Sequence, residues 1–255
     1  MPAELLESFS LFRLCSSFLR LSAMLVFLPL PGYKNLPPAA RILVAISLAI
    51  VISTASPNAF PSGRPSDDLL IQLLADLLTG ISISLVAALV VESFMFGGQI
   101  MAILAGFSYA STIDPFSESD SGILPSAMSI TANLLFFQSP LFPGLIRALA
   151  AGLNREPEHV SIRSPEAAQL FLNFSSHCLE IGVQLALPVI ALLLLADLCI
   201  GLFGRLQPQL HILSVSFALK LLALMASAAA LLPVLQWLYQ RLALSAVNVL
   251  HALTR

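Results

Sequence analysis

The chain has 255 residues, of which 58% are hydrophobic and only 10% charged, and its formal net charge is −2. Soluble domains carry about 25% charged residues, so a chain this poor in charge cannot cover a globular surface with solvated groups. The composition therefore predicts a protein that is embedded in lipid or forms part of a membrane-embedded assembly. The near-neutral charge and the lack of a basic cluster argue against nucleic acid as a partner.

The first apolar segment is predicted to be a retained helix over residues 5–30. A cleavable signal peptide has a basic start and an uninterrupted apolar core. Here the start is acidic, and Arg13 and Arg20 interrupt the apolar stretch. After a proline-rich loop, residues 39–56 form a second segment that is barely long enough to cross about 30 Å of hydrocarbon.

The longest apolar run covers residues 69–113 and contains only two charges. A spanning helix needs about 20 residues, so this run predicts two helices with a break near Gly97-Gly98. The second of them is predicted to end at Asp114-Pro115, because the residue before a proline disfavours the helical conformation.

A ridge of small residues is predicted on that second helix. Gly98, Ala102, Gly106 and Ala110 lie four residues apart and therefore share one helix face. Such a face lets another backbone approach closely, which drives helix association in apolar surroundings. The ridge is predicted to pack against another helix, and the spacing leaves open whether that helix belongs to this chain or to a neighbouring subunit.

The second half of the chain alternates apolar runs with proline-rich or polar breaks. Residues 121–146 are uncharged, and residues 147–168 are the most polar part and the best candidate for a solvated excursion. Another apolar run covers residues 181–204, and two final stretches surround Lys220 and are expected to break at Pro233. The sequence thus predicts an all-α integral membrane protein with about six to seven apolar helices, several of them broken or bent.

Five charges lie within or at the ends of apolar segments: Asp76, Glu92, Asp197, Arg205 and Lys220. A charge at a bilayer centre costs at least about 2.5 kcal/mol, so each is expected to be paired or to face a pore. Glu92 and Arg205 have the alternative of reaching a membrane interface from a segment end. Asp197 and Lys220 lie deeper and are a candidate buried charge pair.

Enzyme signatures are absent from the sequence. The four histidines lack metal-ligand spacing, and there is no nucleophile elbow, phosphate-binding loop or dinucleotide fingerprint. No catalytic residue, cofactor or metal is therefore predicted. The three isolated cysteines, Cys15, Cys178 and Cys199, are predicted to be small packed hydrophobes.

The order of short motifs along the chain resembles the FliR/SctT family, whose members are membrane components of the type III protein-export gate in flagella and injectisomes. Each motif alone is weak, but their order and spacing cover almost the whole chain. The matching residues are Phe107-Ser108-Tyr109-Ala110, Asp114-Pro115, Leu187-Pro188, Gly201-Leu202-Phe203-Gly204-Arg205 and Pro208-Gln209-Leu210.

The resemblance implies a single membrane-embedded export-gate domain over residues 1–255, built from bent helical hairpins. It implies assembly with FliP-like and FliQ-like small membrane subunits and an FlhB-like switch protein. Unfolded substrates would pass through the complex, in the bacterial inner membrane within a flagellar basal body or injectisome base. The sequence AGFSYA, residues 105–110, is more similar to the flagellar branch.

The resemblance also suggests gate residues around the turn that begins at Asp114. The loop from Asp114 to Asp120 carries three acids and no base, so it is expected to face water or basic groups of another subunit. Met101, Phe107 and Phe116 could line a closure beside it, since flexible apolar side chains suit a seal that must yield. The alternative is that this turn only connects two helices.

Two other functions compete with the export gate. A small-solute secondary transporter usually shows an internal repeat with paired broken helices, and residues 1–120 and 121–255 show no convincing repeat. A passive scaffold would need partners but no path through the membrane. Co-purification separates the three, because only a gate subunit is expected to bring its two small helical partners.

Overall fold

The structure, a computed structural model, describes residues 18–29, 36–55, 69–106, 123–153, 165–206 and 212–253. Within these ranges the chain is helical and forms no strand, so the predicted all-α class is confirmed. The first helix, α1, is Phe18–Phe27. The others are α2 (Pro38–Ala55), α3 (Leu69–Ala105), α4 (Ile123–Gln138), α5 (Leu141–Leu153), α6 (Pro165–Leu206) and α7 (Ile212–Leu253).

Three of the helices are long and apolar enough to cross a membrane. The qualifying stretches are Leu73–Ala105 in α3, Ala168–Leu206 in α6 and Ser216–Leu253 in α7. At about 1.5 Å per residue, the 42-residue helices α6 and α7 are each about twice as long as the hydrocarbon core is thick. The helices therefore place the protein in a membrane and leave length to spare beyond the hydrocarbon.

The chain divides into two compact units. The first contains Met1–Leu89, Phe136–Phe174 and Ala243–Arg255, and the second contains Val90–Leu135 and Ser175–Leu242. Helices α3, α4, α6 and α7 each contribute residues to both units. The expectation of one export-gate domain over residues 1–255 stays a prediction.

The predicted break at Gly97-Gly98 is wrong, because α3 continues through both glycines for 37 residues. A glycine inside a helix costs about 1 kcal/mol relative to alanine. That local cost is offset here by close approach of neighbouring helices, which a side chain at either position would prevent.

The predicted end of this helix at Asp114-Pro115 is also wrong, because α3 ends at Ala105. Gly106 follows with a φ of 93°, a left-handed conformation that glycine adopts readily and that commonly terminates helices. Its N–H donates to the carbonyl oxygen of Ile103 at 3.1 Å and closes the last turn. Residues 107–122 lie outside the described residues.

Prolines inside the two longest helices do not interrupt them. Pro188 lies within α6 and Pro233 within α7, so the predicted break at Pro233 is wrong. Proline removes one backbone hydrogen bond, and a helix continues through it when the rest of the helix is held by packing. Pro188 and Pro233 both lie on exposed sides of their helices, while Leu231 and Leu235 are buried on the opposite side of α7.

The polar region predicted at residues 147–168 is partly helical. Residues 147–153 complete α5, and α6 begins at Pro165, a favourable first helical residue because the amide that proline lacks would have no partner there.

Cys178 is buried as predicted, but Cys199 is exposed, because it lies on a side of α6 that no described residue covers. Cys15 lies outside the described residues.

Candidate functional site

A buried ion pair joins α1 to α3 in the first unit. Arg20 Nη2 donates to Asp76 Oδ1, and the two side chains are only 3% and 1% exposed. Gly80, one turn beyond Asp76, allows this contact, since a Cβ there would overlap the carbonyl oxygen of Arg20. The two helices therefore approach closely at the level of the ion pair.

Sequence reasoning identified Asp76 as a charge that needed a partner but did not assign Arg20 to it. The available signal was that the two residues carry opposite charges within apolar stretches. A buried charge is tolerated when it is paired, and the pair then holds its two helices in a fixed register. Arg20 and Asp76 thus have a structural role in fixing α1 on α3.

In the second unit, α3 and α6 cross with their backbones in contact. A Cβ on Gly97 would lie 2.7 Å from the carbonyl oxygen of Gly182, and a Cβ on Gly182 would lie 2.6 Å from the carbonyl oxygen of Ser93. Neither position can hold a side chain unless the helices separate. Gly182 was not singled out from the sequence, although Cys178, Gly182 and Ala186 form a series of small residues four apart that could have indicated a packed face.

The predicted small-residue ridge lies partly at a contact between α3 and α4. A Cβ on Gly98 would lie 2.9 Å from Met128 Cγ, and Ala102 is buried. Gly106 ends the helix, and Ala110 lies outside the described residues. Contact of this ridge with another subunit stays a prediction.

Aromatic packing connects α3 to α7 in the same unit. The rings of Phe94 and Tyr239 lie 5.1 Å apart between centroids, and both side chains are fully buried. With Gly97 facing α6 and Gly98 facing α4, the second half of α3 contacts three other helices. It is the central element of the second unit.

The candidate gate residues fall mainly outside the described part of the chain. Met101 is buried, with 1% of its surface exposed, and packs within the second unit. Phe107, Asp114 and Phe116 lie outside the described residues. The role of these four residues in gating stays a prediction.

The structure brings Asp197 and Lys220 together. Lys220 Nζ donates to Asp197 Oδ1 at 2.7 Å, and the side chains are 17% and 43% exposed respectively. Asp197 precedes the end of α6 by nearly as many residues as Lys220 follows the start of α7. Their contact is therefore that of an antiparallel helical hairpin.

The remaining charged and motif residues are distributed along the helices. Glu92 is exposed in the middle of α3 and does not lie at a helix end. Arg205 is in the last turn of α6, where a positive charge is favourable beside the unpaired carbonyl groups. The family-motif positions outside the described residues are Ser108, Pro115, Pro208 and Gln209.

Metal-binding geometry is not present within the described residues, where no three His, Cys, Asp or Glu side chains converge. The features that are present are close glycine contacts, a buried ion pair and long helices with exposed apolar side chains. Together they define an integral membrane protein in which neighbouring helices pack with their backbones in close contact.

The chain belongs to the family described as bacterial export proteins, family 1, whose model matches residues 11–246. It is 28% identical over 216 residues to the flagellar biosynthetic protein FliR of Bacillus subtilis, with 80% of each chain covered. The FliR protein of Caulobacter vibrioides is 28% identical over 221 residues, covering 84% of this chain and 88% of that protein. The Escherichia coli FliR protein is 27% identical over 219 residues, covering 85% and 83%. The resemblance drawn from the motifs is confirmed.

Proposed function

We propose that this chain is a core subunit of the type III protein-export gate of the bacterial flagellum. In this role it helps to form the channel through which unfolded substrates cross the inner membrane. The observation that carries the proposal is the match to a family of bacterial export proteins over residues 11–246. The flagellar branch follows from the relatives compared above, which are named flagellar biosynthetic protein FliR.

Exposed apolar surface supports a place in a multisubunit membrane complex. Helices α6 and α7 bury only 22% and 17% of their most apolar windows within the chain. Lipid or other subunits must cover the rest, because apolar surface of this extent is not stable in water. The partners that we propose are FliP-like and FliQ-like membrane subunits and an FlhB-like switch protein, in the inner membrane within the flagellar basal body.

The proposed role requires no catalytic group on this chain. A channel subunit contributes part of the channel wall, contacts with other subunits and a closure. The energy for transport comes from outside this chain. We assign the closure to the turn that begins at Asp114, with Phe107 and Phe116 as its apolar lining; Met101 is left out because its side chain is buried within the second unit. This assignment rests on the sequence of the acidic loop and its neighbouring aromatic residues.

A deletion strain and an affinity-tagged chain test the proposal together. Deleting the gene should abolish secretion of flagellar substrates, and the tagged chain should restore it. Purification from membranes in mild detergent should then recover two small helical membrane proteins with the tagged chain. Recovery of the chain alone or as a homo-oligomer, with normal flagellar secretion in the deletion strain, would instead favour a small-solute transporter.

The matched control is a tagged Gly80→Leu chain. A leucine at this position would separate α1 from α3, because even a Cβ would overlap the carbonyl oxygen of Arg20. Reduced recovery of both small proteins with this variant would show that co-purification depends on the folded chain. Undiminished recovery of the two small proteins with this variant would show that they co-purify by non-specific adsorption.

A further inference from the structure

Helix α2 contacts the rest of the chain along one narrow line. Within residues 36–51, Ala45 and Ala49 are the only buried residues, each with 3% of its surface exposed. Arg41, one turn before Ala45, is half-buried and continues the line toward the start of the helix. At about 100° per residue, these three positions occupy about a quarter of the helix circumference.

The remaining surface of α2 is exposed and aliphatic over about 240° of the circumference. Ser47 is the one polar residue on it, and its hydroxyl donates to the carbonyl oxygen of Leu43 at 2.8 Å. The large side chains, between 38% and 64% exposed, are Ile42, Leu43, Val44, Ile46, Leu48, Ile50 and Val51. These seven residues together are called the outward face of α2.

Water does not suit the outward face of α2. A surface helix in water is apolar along one stripe, whereas a helix that is apolar on all sides is surrounded by protein or by hydrocarbon. Here the protein covers only the line of Ala45 and Ala49. Hydrocarbon or another protein must therefore cover the outward face.

The placement of small and large residues on α2 favours hydrocarbon. Helices associate within membranes through small residues, which allow close approach, and through polar groups that hydrogen-bond across the contact. Helix α2 turns its alanines toward the chain and its large aliphatic side chains away from it. The one polar side chain of the outward half, Ser47, is already bonded to its own helix. The outward side thus lacks both features of a helix contact.

The extent of the outward face also favours hydrocarbon. A neighbouring helix covers an apolar stripe of about 100°, so at least two further helices would be needed to cover about 240°. Lipid chains are fluid and cover a convex surface of any width without needing a complementary shape.

The exposed side of α6 beyond Leu187 is different in kind. It carries the charged residues Asp197 and Arg205 and also Gly201, where a Cβ would meet no heavy atom within 4 Å. Small and charged groups are the ones that subunit contacts use in apolar surroundings. The outward face of α2 contains neither, so a subunit contact that fits α6 does not fit α2.

The one charge of α2 lies at its beginning. Arg41 is in the first turn, and its Nε donates to the carbonyl oxygen of Leu36 at 3.0 Å. In the sequence, Lys34 also precedes the helix. A basic end on an apolar helix complements the phosphate groups of lipids at the membrane surface. From Ile42 to Ala55 the helix extends about 21 Å, which is most of the hydrocarbon thickness of about 30 Å.

We propose that the hydrocarbon chains of membrane lipids cover the outward face of α2 and that Arg41 lies at the level of the lipid phosphate groups. The partner of this surface is lipid, in place of another protein subunit. The proposal depends on the membrane character of the chain and is independent of the proposed export function.

Tryptophan quenching by brominated lipid tests the proposal. The parent chain carries Trp237→Phe, so that an introduced tryptophan is the only one. It is purified with all proteins that remain bound and reconstituted into phosphatidylcholine vesicles with or without brominated acyl chains. Leu43→Trp and Ile50→Trp should each lose about half of their fluorescence or more in brominated lipid, because acyl chains touch both positions.

The matched control is Phe174→Trp, at a buried position of the same unit. This tryptophan should lose less than about a tenth of its fluorescence, because lipid does not reach a packed interior. If the tryptophans at 43 and 50 are as insensitive to bromine as the one at 174, another protein or water covers α2, and the proposal is overturned.

The depth of the bromine tests the position of Arg41. Positions 43 and 50 are about 10 Å apart along the helix. Bromine near the headgroup end of the chains should quench Leu43→Trp more strongly, and bromine near the methyl end should quench Ile50→Trp more strongly. The reverse order would overturn the placement of Arg41 at the phosphate level.

Tolerance to side-chain size gives a second measurement without tryptophan. Ile46→Phe should leave the recovery of folded chain from membranes within about twofold, because fluid lipid adapts to the new shape. Ala49→Leu, on the packed line of the same helix, is the control and should lower recovery by about fivefold or more. Equal losses for these two variants would indicate a packed subunit contact and overturn the proposal.

Tolerance to charge separates lipid from water. Ile46→Asp should lower the same recovery by about tenfold or more, because a charge is costly in hydrocarbon. Normal recovery of Ile46→Asp would show that water reaches this face and would overturn the proposal.

Failure of this inference is distinguishable from failure of the proposed function. A deletion strain that secretes flagellar substrates normally would overturn the export function and leave the lipid contact intact. Export-deficient deletion cells, combined with unquenched tryptophans at 43 and 50, would overturn only the lipid contact.

Discussion

At the scale of single residues, the two ion pairs differ in how much water they have lost. The Arg20 and Asp76 side chains are almost fully buried, whereas 43% of the Asp197 side chain remains exposed. A buried pair contributes little net stability, but removal of one partner leaves an uncompensated charge in an apolar interior. The same substitution therefore has different consequences at the two sites.

Removing one partner of the buried pair should destabilise the protein strongly. Arg20→Leu or Asp76→Leu alone should each cost about 3–5 kcal/mol, and the double variant should recover most of that loss. Thermal unfolding of the purified protein in detergent measures all three. A double variant that is as unstable as the worse single variant would contradict a compensating pair.

Removing one partner of the Asp197–Lys220 pair should also be destabilising, but less so than at the buried pair. Lys220→Met and Asp197→Leu should each destabilise the assembled complex by about 1 kcal/mol or less, because solvent already screens the charges. The loss is measured as a lower yield of the complex. The variant with both substitutions should recover part of the yield. A double variant worse than either single one would assign each residue a separate role toward a pore or partner.

At the scale of helices, glycine determines where the elements meet. Gly97 and Gly182 bring α3 and α6 into backbone contact, while Gly201, further along α6, has no heavy atom within 4 Å of a Cβ built on it. The same residue type thus serves a packing role near the middle of α6, and near its end lies in open space within the described part of the chain. This contrast provides a control within a single helix.

Gly182→Ala should weaken the contact between α3 and α6. The added methyl group would lie 2.6 Å from the carbonyl oxygen of Ser93, so the backbones must separate. Overpacking of this kind costs about 1–3 kcal/mol. Unfolding in detergent should show this loss for Gly182→Ala.

Gly201→Ala is the matched control for that prediction. In the isolated chain it should be neutral or stabilising by up to about 1 kcal/mol, because alanine is the better helix former. Equal losses of stability in the two variants would contradict the crossing geometry. A loss for Gly201→Ala confined to assembled membranes would show that another subunit covers this position.

At the scale of the whole molecule, the proposed gate must pass polypeptides and yet retain ions when idle. The elements assigned to its closure, Phe107 and the loop at residues 114–122, combine aromatic and acidic side chains. Aromatic groups exclude water from a closed constriction, while acids remain stable only beside water or a basic group.

Loss of the closure should make idle cells leak. Phe107→Ala or a deletion of residues 116–121 should increase ion and small-solute permeability while part of the export activity remains, because only the seal is removed. Phe217→Ala, which truncates an exposed phenylalanine on α7, is the control and should not leak. Unchanged permeability with normal export would reduce the loop to a connector between helices.

The sequence by itself determined the membrane class, the all-α architecture and the family, because these depend on composition and on the order of short motifs. The opposite charges at positions 197 and 220 also suggested a pair, because a charge within an apolar run is less costly when it is paired, but the sequence did not fix the register that joins them.

The tertiary structure decided which local rules were overridden. Helix α3 continues through Gly97 because the backbone of α6, distant in sequence, occupies the space that a side chain would fill. Arg20 was identified as the partner of Asp76 only when α1 was placed against α3. In each case the deciding energy comes from contacts between segments far apart in the chain, which local propensity and spacing do not contain.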